Sequence, residues 1–118
     1  MKKIYICSPV RGDQDDPQVM KDNIARAALY SRDVYRAGYF PMCIQIYLEA
    51  ATGLNETNNP QNRPRALELG LEFLAMCDEL WVFGRREGEE SQGMINEIKE
   101  ARKKGIPVHY CKEYLLSN

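Results

Sequence analysis

A charged helix near the C-terminal end of the chain carries the residue best placed to do chemistry. Within residues 89–110, Ser91 and Gly93 stand at the predicted helix start, and Glu97 follows one turn later. At about 100° per residue, Glu97 lies about 40° from Ala101, on the border of the apolar stripe. A ligand at the helix start would meet free backbone N–H groups and the positive end of the helix dipole. Glu97 is therefore a candidate nucleophile, and it equally fits a solvated carboxylate at a helix edge.

Small polar and basic residues could hold an anion beside this helix. Ser91 offers a hydroxyl and an N-cap, and Gly93 would let a ligand approach the backbone closely. Arg11, followed by Gly12 in the loop after the first predicted strand, is a candidate phosphate clamp. A structural role stays open for each, because Ser91 suits an ordinary N-cap and Arg11 suits a solvated or acid-paired loop residue.

Composition restricts the kind of partner that the protein binds. The chain has 118 residues, 44% of them hydrophobic and 28% charged, which predicts one globular domain over residues 1–118. A formal net charge of -1, from 16 basic and 17 acidic residues, argues against binding of long nucleic acid by bulk charge. No apolar run approaches the roughly 20 residues that span a bilayer, and the N-terminal segment does not resemble a signal peptide. We expect a cytoplasmic protein with a small-molecule partner and no membrane partner.

The cysteines and the single histidine favour neither a metal site nor a bound cofactor. The four cysteines are widely spaced and form no C-x-x-C pair, and the histidine is His109. Each cysteine lies in or beside an apolar run, which predicts buried reduced thiols. The cysteines are Cys7, Cys43, Cys77 and Cys111.

Short apolar runs alternate with segments of helical periodicity along the chain. The predicted strands are 3–8, 39–44, 79–83 and 107–111. The predicted helices are 17–37, a short run at 46–52, 65–77 and 91–104. This alternation predicts a three-layer α/β/α, flavodoxin/Rossmann-like fold whose four parallel strands have the order 2-1-3-4. In such a sheet the ligand binds beyond the carboxyl ends of the strands, here between strands one and three.

Two segments of the middle of the chain lead to further expectations. The polar, turn-rich residues 55–64 predict a loop or lid. Gln45, Tyr47 and Glu49, in the region 45–62, are candidates for the acceptor side of the ligand pocket, although each also suits a structural role. The inward face of the helix 65–77 is predicted to consist of Leu67, Gly70, Leu71, Leu74 and Ala75.

Several of these motifs resemble the nucleoside 2-deoxyribosyltransferase superfamily. "SQGMINE", residues 91–97, followed by "GIPV" at 105–108, is similar to its catalytic helix and the turn into the next strand. "IYICSPVRGD", residues 4–13, resembles the first strand and loop of the branch that hydrolyses 2′-deoxynucleoside 5′-monophosphates. "CDELWVFG", residues 77–84, resembles a short branch of the same superfamily.

The resemblance implies a function and a set of residue roles. Glu97 would attack the anomeric carbon and expel the base, and water or a second base would resolve the glycosyl-enzyme. The residues that would bind the substrate are Ser8, Arg11, Gly12, Ser91 and Gly93. All of these except Ser8 would hold a 5′-phosphate. The nucleoside-acting branch usually has Asp where Ser91 stands, so the serine favours a nucleotide.

One departure from the superfamily pattern leaves the function open. The superfamily carries an Asp, eight residues before the position of Asp78, that helps to handle the leaving base, and this chain has Gly70 there. The resemblance favours an N-glycosidase or deoxyribosyltransferase that acts on a small nucleotide or nucleoside. The alternatives are a non-catalytic nucleotide-binding module of the same fold, or a phosphate-binding flavodoxin-like domain with other chemistry. Arg63 stands where the short branch tends to carry an arginine, with no role assigned.

The resemblance also implies active sites shared between subunits, and so a homodimer or a higher homo-oligomer. Three tyrosines that look exposed in a small domain favour the same expectation, because they would need cover. These residues are Tyr30, Tyr35 and Tyr47.

Overall fold

Four parallel strands form the central sheet. The structure is a computed structural model that describes residues 1–10, 16–53, 61 and 63–112. Its strands are β1 (Lys3–Cys7), β2 (Phe40–Met42), β3 (Glu79–Val82) and β4 (Val108–Tyr110). They lie in the order β2-β1-β3-β4, and every neighbouring pair is parallel. The predicted fold class and strand order are confirmed, with each strand shorter than predicted at one or both ends.

Two helices begin at capping residues that the sequence offers, Asp16 and Ser91. They are α1 (Pro17–Arg36), α2 (Ile44–Tyr47), α3 (Arg63–Ala75) and α4 (Gln92–Lys103), and a π-helical turn (Leu48–Thr52) continues α2. The Asp16 carboxylate accepts from the backbone N–H of Gln18 at 2.9 Å, which caps α1 in front of Pro17. Helix α3 begins two residues earlier than predicted. Most of the predicted loop 55–64 lies outside the described residues.

Alternate residues of β1 pack on opposite faces of the sheet, as the two-residue period of a strand requires. Ile4 and Ile6 belong to one apolar cluster, on the side of α1, and Tyr5 and Cys7 belong to the other, on the side of α3 and α4. The cluster on the α1 side consists of Ile4, Ile6, Ala27, Tyr30, Val34, Cys43 and Phe83. Met94, Ile98 and Ala101 of α4 are buried in the cluster on the other face.

The inward face of α3 differs from the predicted one. It consists of Ala66, Gly70 and Leu74. The prediction was right for Gly70 and Leu74 and wrong for Leu67, Leu71 and Ala75, which are exposed. With glycine at position 70, the helix backbone lies close to the Tyr5 side chain. Leu67 and Leu71 then lie on the wall of a cavity rather than in the core.

Burial of the tyrosines and cysteines follows the prediction only in part. Tyr30 is buried and stacks on Phe83, with ring centroids 4.6 Å apart, so its predicted exposure was wrong. Tyr35 and Tyr47 are exposed. All four cysteines are free thiols, and three of them are buried. Cys111 is half-buried, because it directly follows the edge strand β4.

Candidate active site

A cavity of about 590 Å³ opens beyond the carboxyl end of β1, between α3 and α4. Ser8 and Val10 line it from the loop after β1, and Ile44 and Gln45 line it from α2. Volumes of this order are typical of pockets that enclose a small ligand. Of the described residues on its wall, only Glu97 and Glu100 are acidic.

Glu97 lies on the cavity wall and contacts β1 through both carboxylate oxygens. The Tyr5 hydroxyl donates to Oε2, and the Cys7 thiol donates to Oε1, with Sγ 3.6 Å from the oxygen. Both donors lie on the same face of β1, where α4 packs. The half-buried carboxylate is therefore held in a defined orientation toward the cavity, as a nucleophile requires.

The donors to Glu97 stay protonated at neutral pH. Burial, followed by the charge of Glu97, raises the pKa of the Tyr5 hydroxyl well above its usual range near 10.0. The same two causes, in the same order, raise the pKa of the Cys7 thiol well above its usual range near 9.0. A neutral thiol is inert as a nucleophile, so the arrangement assigns Cys7 the role of a weak donor.

Gly70 lies directly against the hydrogen-bonded pair of Tyr5 and Glu97. A Cβ added at this position would lie 3.4 Å from the Tyr5 hydroxyl oxygen and 3.8 Å from Oε2 of Glu97. Gly70 therefore lies within the candidate active site, next to the hydrogen bond between Tyr5 and Glu97. Glu68 and Glu72, its acidic neighbours on α3, are exposed, and Glu68 pairs with Arg65 at 3.1 Å.

The start of α4 forms the second polar part of the cavity wall. Ser91 Oγ accepts from the backbone N–H of Met94 at 3.4 Å, so Ser91 acts as the N-cap while it also lines the cavity. A Cβ added to Gly93 would lie 3.5 Å from Nη2 of Arg63, which lines the same cavity. Ser8 is 3% exposed, and its hydroxyl has no hydrogen-bond partner within the described ranges.

The structure brings together most of the residues that the sequence singled out. Ser8, Ser91, Gly93 and Glu97 line one cavity. The predicted phosphate-binding residues Arg11 and Gly12 lie outside the described residues.

The residues predicted for the acceptor side of the pocket do not all line the cavity. Gln45 lines the cavity. The Tyr47 ring packs on Phe73, with centroids 4.9 Å apart, and neither Tyr47 nor Glu49 is among the described residues of the cavity wall.

Sequence analysis missed Tyr5, Cys7 and the position of Arg63. The alternation in "KIYIC" was sufficient to place Tyr5 and Cys7 on one face of β1. It could not show which helix would cover that face, because Tyr5 and Glu97 are 92 residues apart. As for metals, the described part of the chain has no group of three or more His, Cys, Asp or Glu residues that could hold an ion.

Comparisons to known proteins give a family and a similar fold. A family model matches residues 2–111, and the chain belongs to that family, Domain of unknown function (DUF7768). A search of curated proteins gave no significant match.

A solved structure of a 2-deoxyribosyltransferase from Bacillus psychrosaccharolyticus is similar, with a TM-score of 0.59 and 17% sequence identity. The match covers 92% of this chain and 70% of that one. At this identity the likeness shows a shared fold. No helix in the described ranges is long and apolar enough to cross a membrane.

Proposed function

We propose that this protein breaks the N-glycosidic bond of a (deoxy)nucleoside 5′-monophosphate, with Glu97 as the nucleophile. The observation that carries the proposal is a carboxylate on the wall of a ligand-sized cavity, held by two donors from β1. The fold shared with a 2-deoxyribosyltransferase supports the same class of reaction. The domain as a whole, residues 1–118, would then be a nucleoside 2-deoxyribosyltransferase-like domain.

The proposed reaction has two displacements at the anomeric carbon. In the first, a Glu97 oxygen bonds to this carbon as the bond to the base nitrogen breaks, and the electron pair leaves with the base. The departing base takes a proton from water. In the second, water attacks the same carbon, the bond to Glu97 breaks, and the carboxylate returns while the water proton goes to solvent. If a second base attacks instead, the outcome is transfer.

Tyr5 and Cys7 act as positioning residues in this scheme. Their hydrogen bonds keep the carboxylate aimed at the cavity and stabilise its ionised form between turnovers. Both groups stay protonated beside the ionised carboxylate, because burial and the charge of Glu97 raise their pKa values.

We further propose that the protein acts in the cytoplasm as a homodimer or higher homo-oligomer. Exposed apolar side chains at the cavity rim support association, since a second copy would cover them; they include Leu67 and Leu71, each about 40% exposed. Sedimentation of the purified protein at micromolar concentration tests this, and a single monomeric species would contradict it.

The release of free base tests the proposed reaction. The protein is incubated with a panel of deoxynucleoside 5′-monophosphates, and free base is measured by chromatography. Glu97→Gln keeps the shape of the side chain but removes its charge, so base release should fall by orders of magnitude while nucleotide binding is retained. Glu72→Gln, on the exposed face of α3, is the matched control and should release base at the normal rate.

Two results would contradict the proposal, the first for the nucleophile and the second for the reaction. Equal turnover by the wild type and Glu97→Gln would leave Glu97 as a helix-edge carboxylate. Tight binding of a nucleotide, with no release of base from any member of the panel, would identify a nucleotide-binding module. Gly70 on the cavity wall is the observation that favours this second candidate, since it leaves the position of the superfamily acid empty.

A further inference from the structure

We propose that Arg63 is the specificity-determining residue for the phosphate of the substrate, in a site that it forms with Ser8 and the N-terminus of α4. The inference rests on the proposed function for the identity of the substrate. It goes beyond that function by naming the group that would separate a nucleotide from a nucleoside.

The first observation is the position of the Arg63 guanidinium. Its Nη2 lies 3.5 Å from the point where a Cβ of Gly93 would be, so the guanidinium lies over the first turn of α4. This turn is also the positive end of the helix dipole, with free backbone N–H groups. An anion bound between the guanidinium and the helix N-terminus would interact favourably with both. Gly93 has no side chain to fill that space.

The second observation is independent of the helix terminus. The Ser8 hydroxyl is buried and lines the same cavity, yet it has no hydrogen-bond partner within the described residues. A buried hydroxyl without a partner is unfavourable, and such groups are rare in folded proteins. A ligand oxygen in the cavity would supply the missing partner.

The chemistry of these groups selects a phosphate monoester. Its three terminal oxygens can accept from the guanidinium fork, from the N–H groups of α4 and from the Ser8 hydroxyl at the same time. Gly93 and Glu97 are four residues apart, a rise of about 6 Å along the helix. The ester oxygen, the C5′ carbon and the furanose ring together separate the phosphate from the anomeric carbon by a distance of this order, so a phosphate at Gly93 would bring the anomeric carbon toward Glu97.

The experiment compares two arginines of α3 on two substrates. Arg63→Gln is paired with Arg65→Gln, whose guanidinium is exposed and bound to Glu68 at 3.1 Å. The substrates are a deoxynucleoside 5′-monophosphate and the same nucleoside without phosphate. Arg63→Gln should raise KM for the monophosphate about ten- to hundredfold and change kcat/KM for the nucleoside less than about twofold. Arg65→Gln should change neither, and Arg63→Lys should recover part of the loss.

The outcomes separate this inference from the proposed function. Equal losses on both substrates, or no loss on either, would overturn the role of Arg63 while leaving Glu97 in place. If the wild type releases no base, the proposed reaction fails, and calorimetric Kd values for the same two ligands test Arg63 alone. A ten- to hundredfold weaker Kd for the monophosphate only would then support the inference, and unchanged affinity would overturn it. If Arg63→Gln does not fold, Arg63→Lys is tested by the same comparison.

Discussion

The two faces of the sheet use the same strand in different ways. On the α1 face, Ile4 and Ile6 are fully buried in an apolar cluster, and the stacked rings of Tyr30 and Phe83 close it. On the opposite face, Tyr5 and Cys7 are equally buried, but both donate to Glu97. The first face is an apolar core contact, whereas the second combines a larger buried cluster with a carboxylate on a cavity wall.

The contrast shows how a small domain can accommodate a site. A cavity removes packing contacts, and here the face that holds it also has the larger of the two buried clusters. Here α3 turns Ala66 and Gly70 inward and leaves Leu67 and Leu71 on the cavity wall. Both faces therefore contribute a buried core, and the α3/α4 face in addition lines the cavity. Substitutions on the α1 face, called the closed face, should therefore lower stability, and substitutions of the groups that hold Glu97 on the opposite, open face should lower activity.

The largest effect is expected from Ile6→Ala on the closed face. Removal of a fully buried isoleucine side chain leaves a cavity and should lower the free energy of unfolding by about 2–5 kcal/mol. The matched control, Ile46→Ala, removes a side chain that is 39% exposed and should lower it by less than about 1.5 kcal/mol. Urea denaturation followed by circular dichroism measures both. Equal losses would contradict the assignment of Ile6 to a close-packed core on the α1 face.

Tyr5→Phe tests whether the hydrogen bond from Tyr5 to Glu97, on the open face, orients the nucleophile. The ring remains, so packing is kept, but Glu97 loses a hydrogen bond of the charged type, which contributes about 1.5–3 kcal/mol. We expect kcat for base release to fall about ten- to hundredfold with KM little changed, since the hydroxyl orients the nucleophile. Tyr30→Phe, on the closed face, should change kcat less than about twofold. A large change in KM for Tyr5→Phe would instead indicate that the hydroxyl contacts the substrate.

Gly70→Ala tests how closely α3 packs against the candidate site. The added methyl group would make only ordinary contacts, the nearest at 3.4 Å to the Tyr5 hydroxyl. Because alanine is the better helix former, the free energy of unfolding should rise by about 0.5–1 kcal/mol. Gly38→Ala is the control and should lower the free energy of unfolding, since the φ of +97° at Gly38 disfavours any side chain. Thermal unfolding measures both, and destabilisation by Gly70→Ala would show that this contact is tighter than its distance indicates.

The smallest effect concerns pH and the loop before α4. The Tyr110 hydroxyl and the Gly88 N–H donate to Glu90, and these bonds, the Tyr110 bond first, lower the pKa of that carboxyl below its usual value near 4.5. A carboxylate with a lowered folded-state pKa stabilises the protein above the unfolded pKa, and the gain is lost as pH falls through the folded value. Glu90→Gln should therefore make the decline in stability below pH 4.5 less steep. Identical acid unfolding curves for the two proteins would contradict this.

The cytoplasmic location and the homo-oligomeric state stay predictions, as do the roles of Arg11 and Gly12.

The sequence-based error at α3 has a simple cause. Leucine at helical spacing predicts an inward face, yet Leu67 and Leu71 line a cavity that no single helix reveals. Tyr30 was misjudged for a related reason, because its cover comes from Phe83 on another element.

Local patterns were sufficient for the parts of this protein that depend on neighbouring residues. The strand and helix order, the caps at Asp16 and Ser91 and the border position of Glu97 all follow from side-chain periodicity and capping chemistry, which act within a few residues. Only the tertiary structure decided that Tyr5 and Cys7 hold Glu97, at separations of 92 and 90 residues. The docking of α4 on one face of β1 sets these contacts. The approach of α3 to α4 separately brings Arg63 next to Gly93. Periodicity identifies the face that a helix or strand buries, whereas packing of the whole domain selects its partner.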